Sequence, residues 1–221
     1  MRPAELCWLE AADPFPSPKK ALLHPNGLLA AGGDLSTQRL LCAYKEGIFP
    51  WYEKGYPILW WCPDPRMVLF PQDFLISRSL KKSMRNKGFS FYLDGDFQGV
   101  IQACAAPRPN QQGTWITQEM QDAYMGLHRL GFAHSVEVRQ EGKLVGGLYG
   151  VRLGGVFFGE SMFSRISDAS KCALWFLLER FSPRLVDCQV ESEHLKSLGA
   201  KPISRKMFLE FLRDLIPGDR P

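Results

Sequence analysis

The sequence predicts an α+β fold in two parts: a small N-terminal α/β domain over residues 1–65, then a larger domain with a mainly antiparallel sheet over residues 66–221. Three observations predict it. From His134 to Glu160 three strand-like stretches follow one another across short turns; a strongly apolar helix, a further strand and closing helices come after them. That order of antiparallel strands, core helix, strand and helix is of the α+β kind. The first 65 residues differ from the rest, being rich in Pro, Gly and Trp around one clear helix. Finally, 221 residues with 45% apolar and 23% charged side chains are ordinary globular proportions, which exclude a disordered or fibrous chain.

The elements are expected in this order. A glycine-bent loop over Asn26–Asp34 leads to a helix capped by Ser36, with Leu40, Leu41 and Tyr44 as its apolar stripe and Gly47 as its stop. The stretches Ile48–Tyr52 and Ile58–Pro65 pack aromatics between prolines, and a domain junction is placed near Asp64-Pro65-Arg66. A basic helix then starts at Ser77, pairs Leu80 with Met84, and meets Gly88 at its end. A strand over Phe89–Leu93, a short helix around Phe97–Cys104 and a polar loop over Pro107–Gly113 follow. The next helix has Thr117 as cap, Met120, Tyr124 and Leu127 as buried stripe, and Gly131 as stop. His134–Gln140 and Lys143–Val151 form a hairpin about Glu141-Gly142, and Val156–Glu160 adds a third strand. A core helix from about Asp168 to Phe181, a strand over Arg184–Val190 and two helices complete the chain.

The charge is informative once it is mapped. With 27 Lys+Arg against 23 Asp+Glu the net charge is +4, yet no acidic residue lies between Asp73 and Asp94. Arg78, Lys81, Lys82, Arg85 and Lys87 all fall in that interval, and Arg78, Lys82 and Arg85 share one helix side. Two readings are open, a solvated helix face or a ridge for nucleic-acid phosphates; neighbouring aromatics favour the second. The apolar runs at 58–62 and 172–178 are far shorter than the roughly 20 residues that span a bilayer. Glu5, Glu10 and Asp13 interrupt any secretory h-region, so the chain is read as soluble and cytoplasmic. Six scattered cysteines without C-x-x-C spacing read as free thiols, and four histidines without ligand spacing argue against a metal.

Several residues are candidates for chemistry. Asp187 and Gln189, two apart on a strand, are expected to share a face, with Val186, Cys188 and Val190 on the buried one. They are either the wet side of a strand or a carboxylate orienting an amide that accepts from a substrate amine. Glu160, at the expected end of its strand, is either a helix-capping acceptor or a site for a cationic group. Trp51 and Trp115 lie in loops, as packing anchors or as stacking platforms. Phe157, Met162, Leu174, Leu177 and Val186 are core, or the lining of a slot for an apolar side chain. No Ser-His-Asp order, H-E-x-x-H, P-loop or dinucleotide fingerprint is present.

The order of elements resembles the GNAT (acyl-CoA N-acyltransferase) fold. In that family the turn before the core helix carries R/Q-x-x-G-x-G/A, whose amides cradle a pyrophosphate. Here the stretch is Arg165-Ile166-Ser167-Asp168-Ala169-Ser170, and the Asp168 carboxylate in place of the first glycine would repel pyrophosphate at a helix N-terminus. A CoA-dependent acetyltransferase is therefore disfavoured, and it stands with a non-enzymatic RNA-binding module as a rival reading.

Longer stretches go beyond fold-level likeness. They are Pro25–Ser36, Gly47–Trp51, Trp60–Arg66, Gly113–Thr117, Gly159–Ser164, Asp187–Val190 and Ser197–Ala200. In that order they resemble the bacterial leucyl/phenylalanyl-tRNA–protein transferases from about Phe15 to Leu212. The resemblance implies transfer of Leu, less readily Phe or Met, from aminoacyl-tRNA to proteins with N-terminal Arg or Lys, which marks them for N-degron proteolysis. It implies a GNAT-like domain after a small N-terminal one, no metal, nucleotide or CoA cofactor, and a monomer. By motif, Gln189 would hold the attacking amine, Asp187 would polarise or orient Gln189, and Glu160 would position the donor's aminoacyl-adenosine end or its amino group. Trp51 and Trp115 would stack on the terminal adenosine, and Phe157, Met162, Leu174, Leu177 and Val186 would hold the leucyl side chain. Leu177 stands where some members have phenylalanine, which bears on donor preference. Arg78, Lys81, Lys82 and Arg85 would contact acceptor-stem phosphates, and Asp187 and Glu160 are candidates for the acidic recess a cationic acceptor needs.

Overall fold

The computed structural model describes residues 6–107 and 114–217. Residues 108–113 of the expected polar loop, with Gly113 of the Gly113–Thr117 stretch, lie outside the described residues. The N-terminal half runs β1 (Cys7–Leu9), β2 (Leu28–Gly32), α1 (Thr37–Lys45), β3 (Phe49–Pro50), β4 (Leu59–Trp61), β5 (Arg66–Leu69), α2 (Arg78–Asn86), β6 (Ser90–Leu93) and α3 (Phe97–Ala105). It continues with α4 (Gln118–Arg129), β7 (Ala133–Gln140), β8 (Lys143–Leu153), β9 (Val156–Ser164), α5 (Ala169–Phe181), β10 (Leu185–Gln189), α6 (Glu193–Ser197), β11 (Lys201–Ile203) and α7 (Arg205–Leu215).

The helices start where side chains satisfy their free amides. Ser36, Ser77, Asp96, Thr117, Ser192 and Ser204 each accept from the backbone amide three residues on, at the heads of α1, α2, α3, α4, α6 and α7. Each such cap is worth about 1 kcal/mol. α5 starts differently: Asp168 precedes it in the left-handed region at φ 69° and makes no capping bond. Its carboxylate instead accepts from Ser83 Oγ at 2.8 Å and pairs with Lys171 at 3.3 Å. The β7–β8 hairpin closes through Glu141 and Gly142, both at positive φ, the geometry that matches strand twist in a two-residue turn.

Two sheets result. The first has the order β1-β2-β4-β3, with β1 parallel to β2 and the other pairs antiparallel. The second has the order β11-β5-β10-β9-β8-β7-β6, antiparallel throughout except for β9 and β10. α5 packs on one face of β7, β8 and β9, and α3 and α4 pack on the other side. The approach of α5 is close enough that a Cβ on Gly146 would stand 2.4 Å from Ala169 Cβ, so β8 must carry glycine there.

Several strands differ from the expectation. Leu28–Gly32 is a strand within the stretch read as a loop, because Leu-Leu-Ala-Ala-Gly is buried along its whole length and so lacks period-2 alternation. β5 and β11 were not expected; β5 is buried at all four positions, between β11 and β10, and it too shows no alternation. β9 continues to Ser164, so Glu160 lies inside the strand rather than at its end.

Candidate active site

The site forms where two neighbouring strands part. β9 and β10 run parallel and pair over Val156–Phe158 and Leu185–Asp187, and their pairing stops there. Just beyond, each strand carries an irregularity. Opposite β8, Gly159 and Ser161 pair with Gly150 and Tyr149, so Glu160 is the extra residue of a bulge. Opposite β5, Asp187 and Gln189 pair with Val68 and Met67, so Cys188 is the extra residue. Bulges re-aim side chains and are over-represented beside active sites. Gln189 also adopts φ 61°, a left-handed conformation that non-glycine residues seldom take.

The two bulges bring Glu160 and Gln189 together across the opening. Gln189 Nε2 donates to Glu160 Oε1 at 2.8 Å. Tyr44 from α1 donates to Glu160 Oε1 at 2.7 Å, and Tyr124 from α4 donates to Oε2 at 2.8 Å. The two tyrosine hydroxyls are also hydrogen-bonded to each other. Burial pushes the Glu160 carboxyl up to about 7, and the nearby Asp187 charge adds to the rise; the Tyr44, Tyr124 and Gln189 hydrogen bonds only partly offset it. Proton counting agrees with that direction. Three oxygen–oxygen contacts link Glu160, Tyr124 and Tyr44 in a ring; two phenols alone leave one contact without a proton, whereas a protonated Glu160 fills all three, its Oε2–H then donating to Tyr124, Tyr124 to Tyr44 and Tyr44 to Oε1. Tyr44 and Tyr124 are themselves held well above the ordinary phenol range by burial and by Glu160.

Asp187 has a different place from the one expected. It does not touch the Gln189 amide; its Oδ1 accepts from the Gln189 backbone N–H at 2.9 Å. The bulge breaks the expected sharing of a face, and Val190, expected on the buried side, is 43% exposed. Both Asp187 oxygens are taken by Arg66, whose Nε and Nη2 donate at 2.7 and 2.6 Å, with neither side chain exposed. The Arg66 guanidinium lies over the rings of Phe49 and Phe208, at 4.7 and 4.6 Å from their centroids. Its charge is matched to that of Asp187, whose two oxygens are thus already engaged by Arg66 and the Gln189 backbone. Burial and Asp187 push the thiol of Cys188, between Asp187 and Gln189, far up.

A cavity of about 980 Å³ opens on this arrangement. Trp51 and Trp115 line it, as do Glu160, Asp187 and Gln189. Phe157, Met162, Leu174 and Val186 of the expected side-chain slot line it too. Leu177 is not among the lining residues; it is fully buried behind them, in the cluster that also holds Phe157, Leu174 and Val186. Trp51 is 42% exposed and lies beside Trp61, whose indole donates to the Trp51 carbonyl at 2.7 Å. Arg78, Lys81, Lys82 and Arg85 are all exposed on α2 and, among the described residues, none forms an ion pair. α2 is fastened to the turn before α5 by Ser83 on Asp168 and by Lys87 Nζ on the Ser167 carbonyl at 2.7 Å. Arg165, a few residues earlier in chain order, lines the cavity.

Sequence reasoning missed Tyr44, Tyr124 and Arg66 as members of the site. A tyrosine in an otherwise aliphatic buried stripe carries a hydroxyl that needs a partner, and an arginine heading Met67-Val68-Leu69 is a cation needing a carboxylate; those were the available signals. Among the described residues no three His, Cys, Asp or Glu side chains gather as a metal would require.

Comparison with known proteins adds the family. The model of the family described as leucyl/phenylalanyl-tRNA protein transferase matches residues 68–213, and that of its N-terminal domain matches residues 33–64. A leucyl/phenylalanyl-tRNA–protein transferase of Nitrosospira multiformis is 55% identical over 212 residues, 95% of this chain and 91% of the relative. One from Pseudomonas fluorescens is 56% identical over 211 residues, 94% of this chain and 93% of the relative. Among solved structures, a GCN5-related N-acetyltransferase from Kribbella flavida aligns at a TM-score of 0.39 and 14% identity, covering 74% of this chain and 60% of that one. The chain belongs to the leucyl/phenylalanyl-tRNA–protein transferase family.

Proposed function

We infer that the protein transfers leucine, and less readily phenylalanine or methionine, from aminoacyl-tRNA to the α-amine of proteins that begin with Arg or Lys. The observation that carries the reading is the Gln189–Glu160 hydrogen bond at the parting of β9 and β10, within a cavity that has tryptophans and an apolar slot in its walls. The product then carries a new N-terminal residue suited to N-degron proteolysis.

The reaction is aminolysis of an ester that the tRNA already activates. The acceptor nitrogen forms a bond to the aminoacyl carbonyl carbon, the carbon–oxygen bond to the terminal ribose breaks, and the amine proton ends on the released ribose oxygen. Alignment of the amine and management of its proton are what the protein must supply. Gln189 spends its amide N–H on Glu160, and its carbonyl oxygen accepts from no group among the described residues. That oxygen is suited to accept from the attacking amine and so aim its lone pair. A primary amide does not hold a full proton, so Gln189 acts by orientation. Arg66 and Asp187 serve it indirectly, by fixing the backbone of Gln189 in its left-handed conformation. With Asp187 matched by Arg66, Glu160 is the carboxyl left to meet a cationic substrate group once it ionises above about pH 7.

Trp51 and Trp115 are suited to stack on the terminal adenosine, and Phe157, Met162, Leu174 and Val186 to hold the aliphatic side chain. Leu177 would act on donor preference from behind this wall. The α2 ridge of Arg78, Lys81, Lys82 and Arg85 is suited to acceptor-stem phosphates.

The test is direct. Radiolabelled Leu-tRNA is incubated with the protein and a substrate beginning with Arg, and in parallel with the same substrate beginning with Ala. Label should pass to the Arg form and leave the Ala form at background. Failure to label the Arg form would sink the transferase reading, and equal labelling of both would sink the stated acceptor preference.

A further inference from the structure

Tyr149 is the buried polar group that the site leaves unexplained. It lies on β8 directly opposite Ser161, next to the bulged Glu160, and is fully buried. Its ring meets Phe97 and Tyr124 edge-on, at centroid distances of 5.9 and 5.5 Å. Those contacts account for an aromatic ring and would be made equally well by phenylalanine. The hydroxyl has no hydrogen-bond partner among the described residues, although Tyr149 lines the cavity together with Glu160, Ala103 and Trp115. A buried unpaired hydroxyl is destabilising, and natural structures keep such groups rarely without a use.

We infer that the Tyr149 hydroxyl is a substrate-positioning group that accepts a hydrogen bond from the α-amine of the donor's aminoacyl ester. This rests on the transferase reading and extends it to a residue outside the expected site. The choice of an amine follows from the surroundings. Tyr44 and Tyr124 already spend their hydroxyls on Glu160, whereas Tyr149 does not. Burial and Glu160 keep Tyr149 firmly protonated, so it meets a ligand as a neutral hydroxyl with free lone pairs. Glu160 ionises above about pH 7, and beside that carboxylate an N–H donor is favoured over the ester carbonyl, whose oxygen the negative field disfavours.

The experiment compares wild type with Tyr149→Phe by three measurements. Thermal melting should be unchanged or raised, because the variant deletes an unsatisfied buried oxygen and nothing else. The kcat/KM with Leu-tRNA should fall about tenfold, the loss expected for one hydrogen bond. Binding of 3′-leucylamido-3′-deoxyadenosine, a stable stand-in for the donor end, should weaken by a similar factor, whereas its 4-methylpentanoyl counterpart, which lacks the α-amine, should bind both proteins equally. A melting point several degrees lower would mean that the hydroxyl has a structural partner and would overturn the inference. So would unchanged kinetics, or equal weakening of both analogues. Absence of transfer by wild type itself would overturn the underlying transferase reading, which separates that failure from this one.

Discussion

Glu160 has a carboxyl that stays protonated to unusually high pH, about 7 against an ordinary 4.5, and this links its titration to stability. Between those values the unfolded chain has released a proton that the native state retains. The contribution of Glu160 to stability is therefore complete below about pH 4.5 and is lost as pH rises through 7. The gap amounts to about 3 kcal/mol. Glu160→Gln should keep the ring of hydrogen bonds, since its amide N–H replaces the carboxyl proton toward Tyr124 and its carbonyl still accepts from Tyr44. Melting curves from pH 5 to pH 8 should show the variant gaining on wild type by several degrees toward the alkaline end, with transfer activity much reduced at every pH. A constant difference across that range would mean Glu160 does not titrate there. At this scale the sequence was partly legible. By pattern Gln189, Glu160 and the tryptophans stayed open between a structural and a functional reading, and the family resemblance rather than the pattern gave them roles. Tyr44 and Tyr124 raised no such question, because a helical stripe of apolar spacing hides a hydroxyl whose partner comes from a distant strand.

At the level of elements, helices read more truly than strands. α1, α2 and α4 announced themselves by a capping Ser or Thr, a 3.6-residue apolar stripe and a closing glycine, all local signals. β2 and β5 are enclosed by neighbours on both sides, and such strands lose the alternation that marks a half-exposed strand. The bulges at Glu160 and Cys188 were illegible for a related reason: a bulge is defined by the partner strand, and strict alternation along β10 wrongly paired Asp187 with Gln189 on one face. α2 makes its own prediction. Its exposed cations have no carboxylate partners among the described residues, and the helix is held by Ser83 and Lys87 instead. The double variant Lys82→Glu, Arg85→Glu should thus fold normally, bind tRNA more weakly, and lower the slope of log affinity against log salt by about 2. Filter binding from 50 to 200 mM salt checks this, and an unchanged slope would make α2 a solvated face.

Over the whole molecule, the boundary near Arg66 divides sheets more cleanly than it divides cores. The first sheet is drawn from residues up to Trp61 and the second begins at Arg66. One buried cluster nevertheless joins Leu29, Tyr44 and Trp60 to Tyr124, Tyr149, Phe158 and Phe208. The site depends on that joint core. Tyr44 reaches Glu160 from the first part, and Phe49 and Phe208, from opposite ends of the chain, enclose the Arg66 that holds Asp187. A fully buried cation between two rings loses its compensation if either ring withdraws, so parting the two sheets strands Arg66 and Asp187 together with the apolar surface. The two parts should consequently melt as one. Differential scanning calorimetry is expected to give a single transition whose calorimetric and van't Hoff enthalpies agree. Two resolved transitions, with the first leaving the Trp115 environment intact, would mean that residues 66–221 hold Arg66 and Asp187 in place unaided. In that event Phe49 and Tyr44 would be accessories to the site rather than parts of its frame.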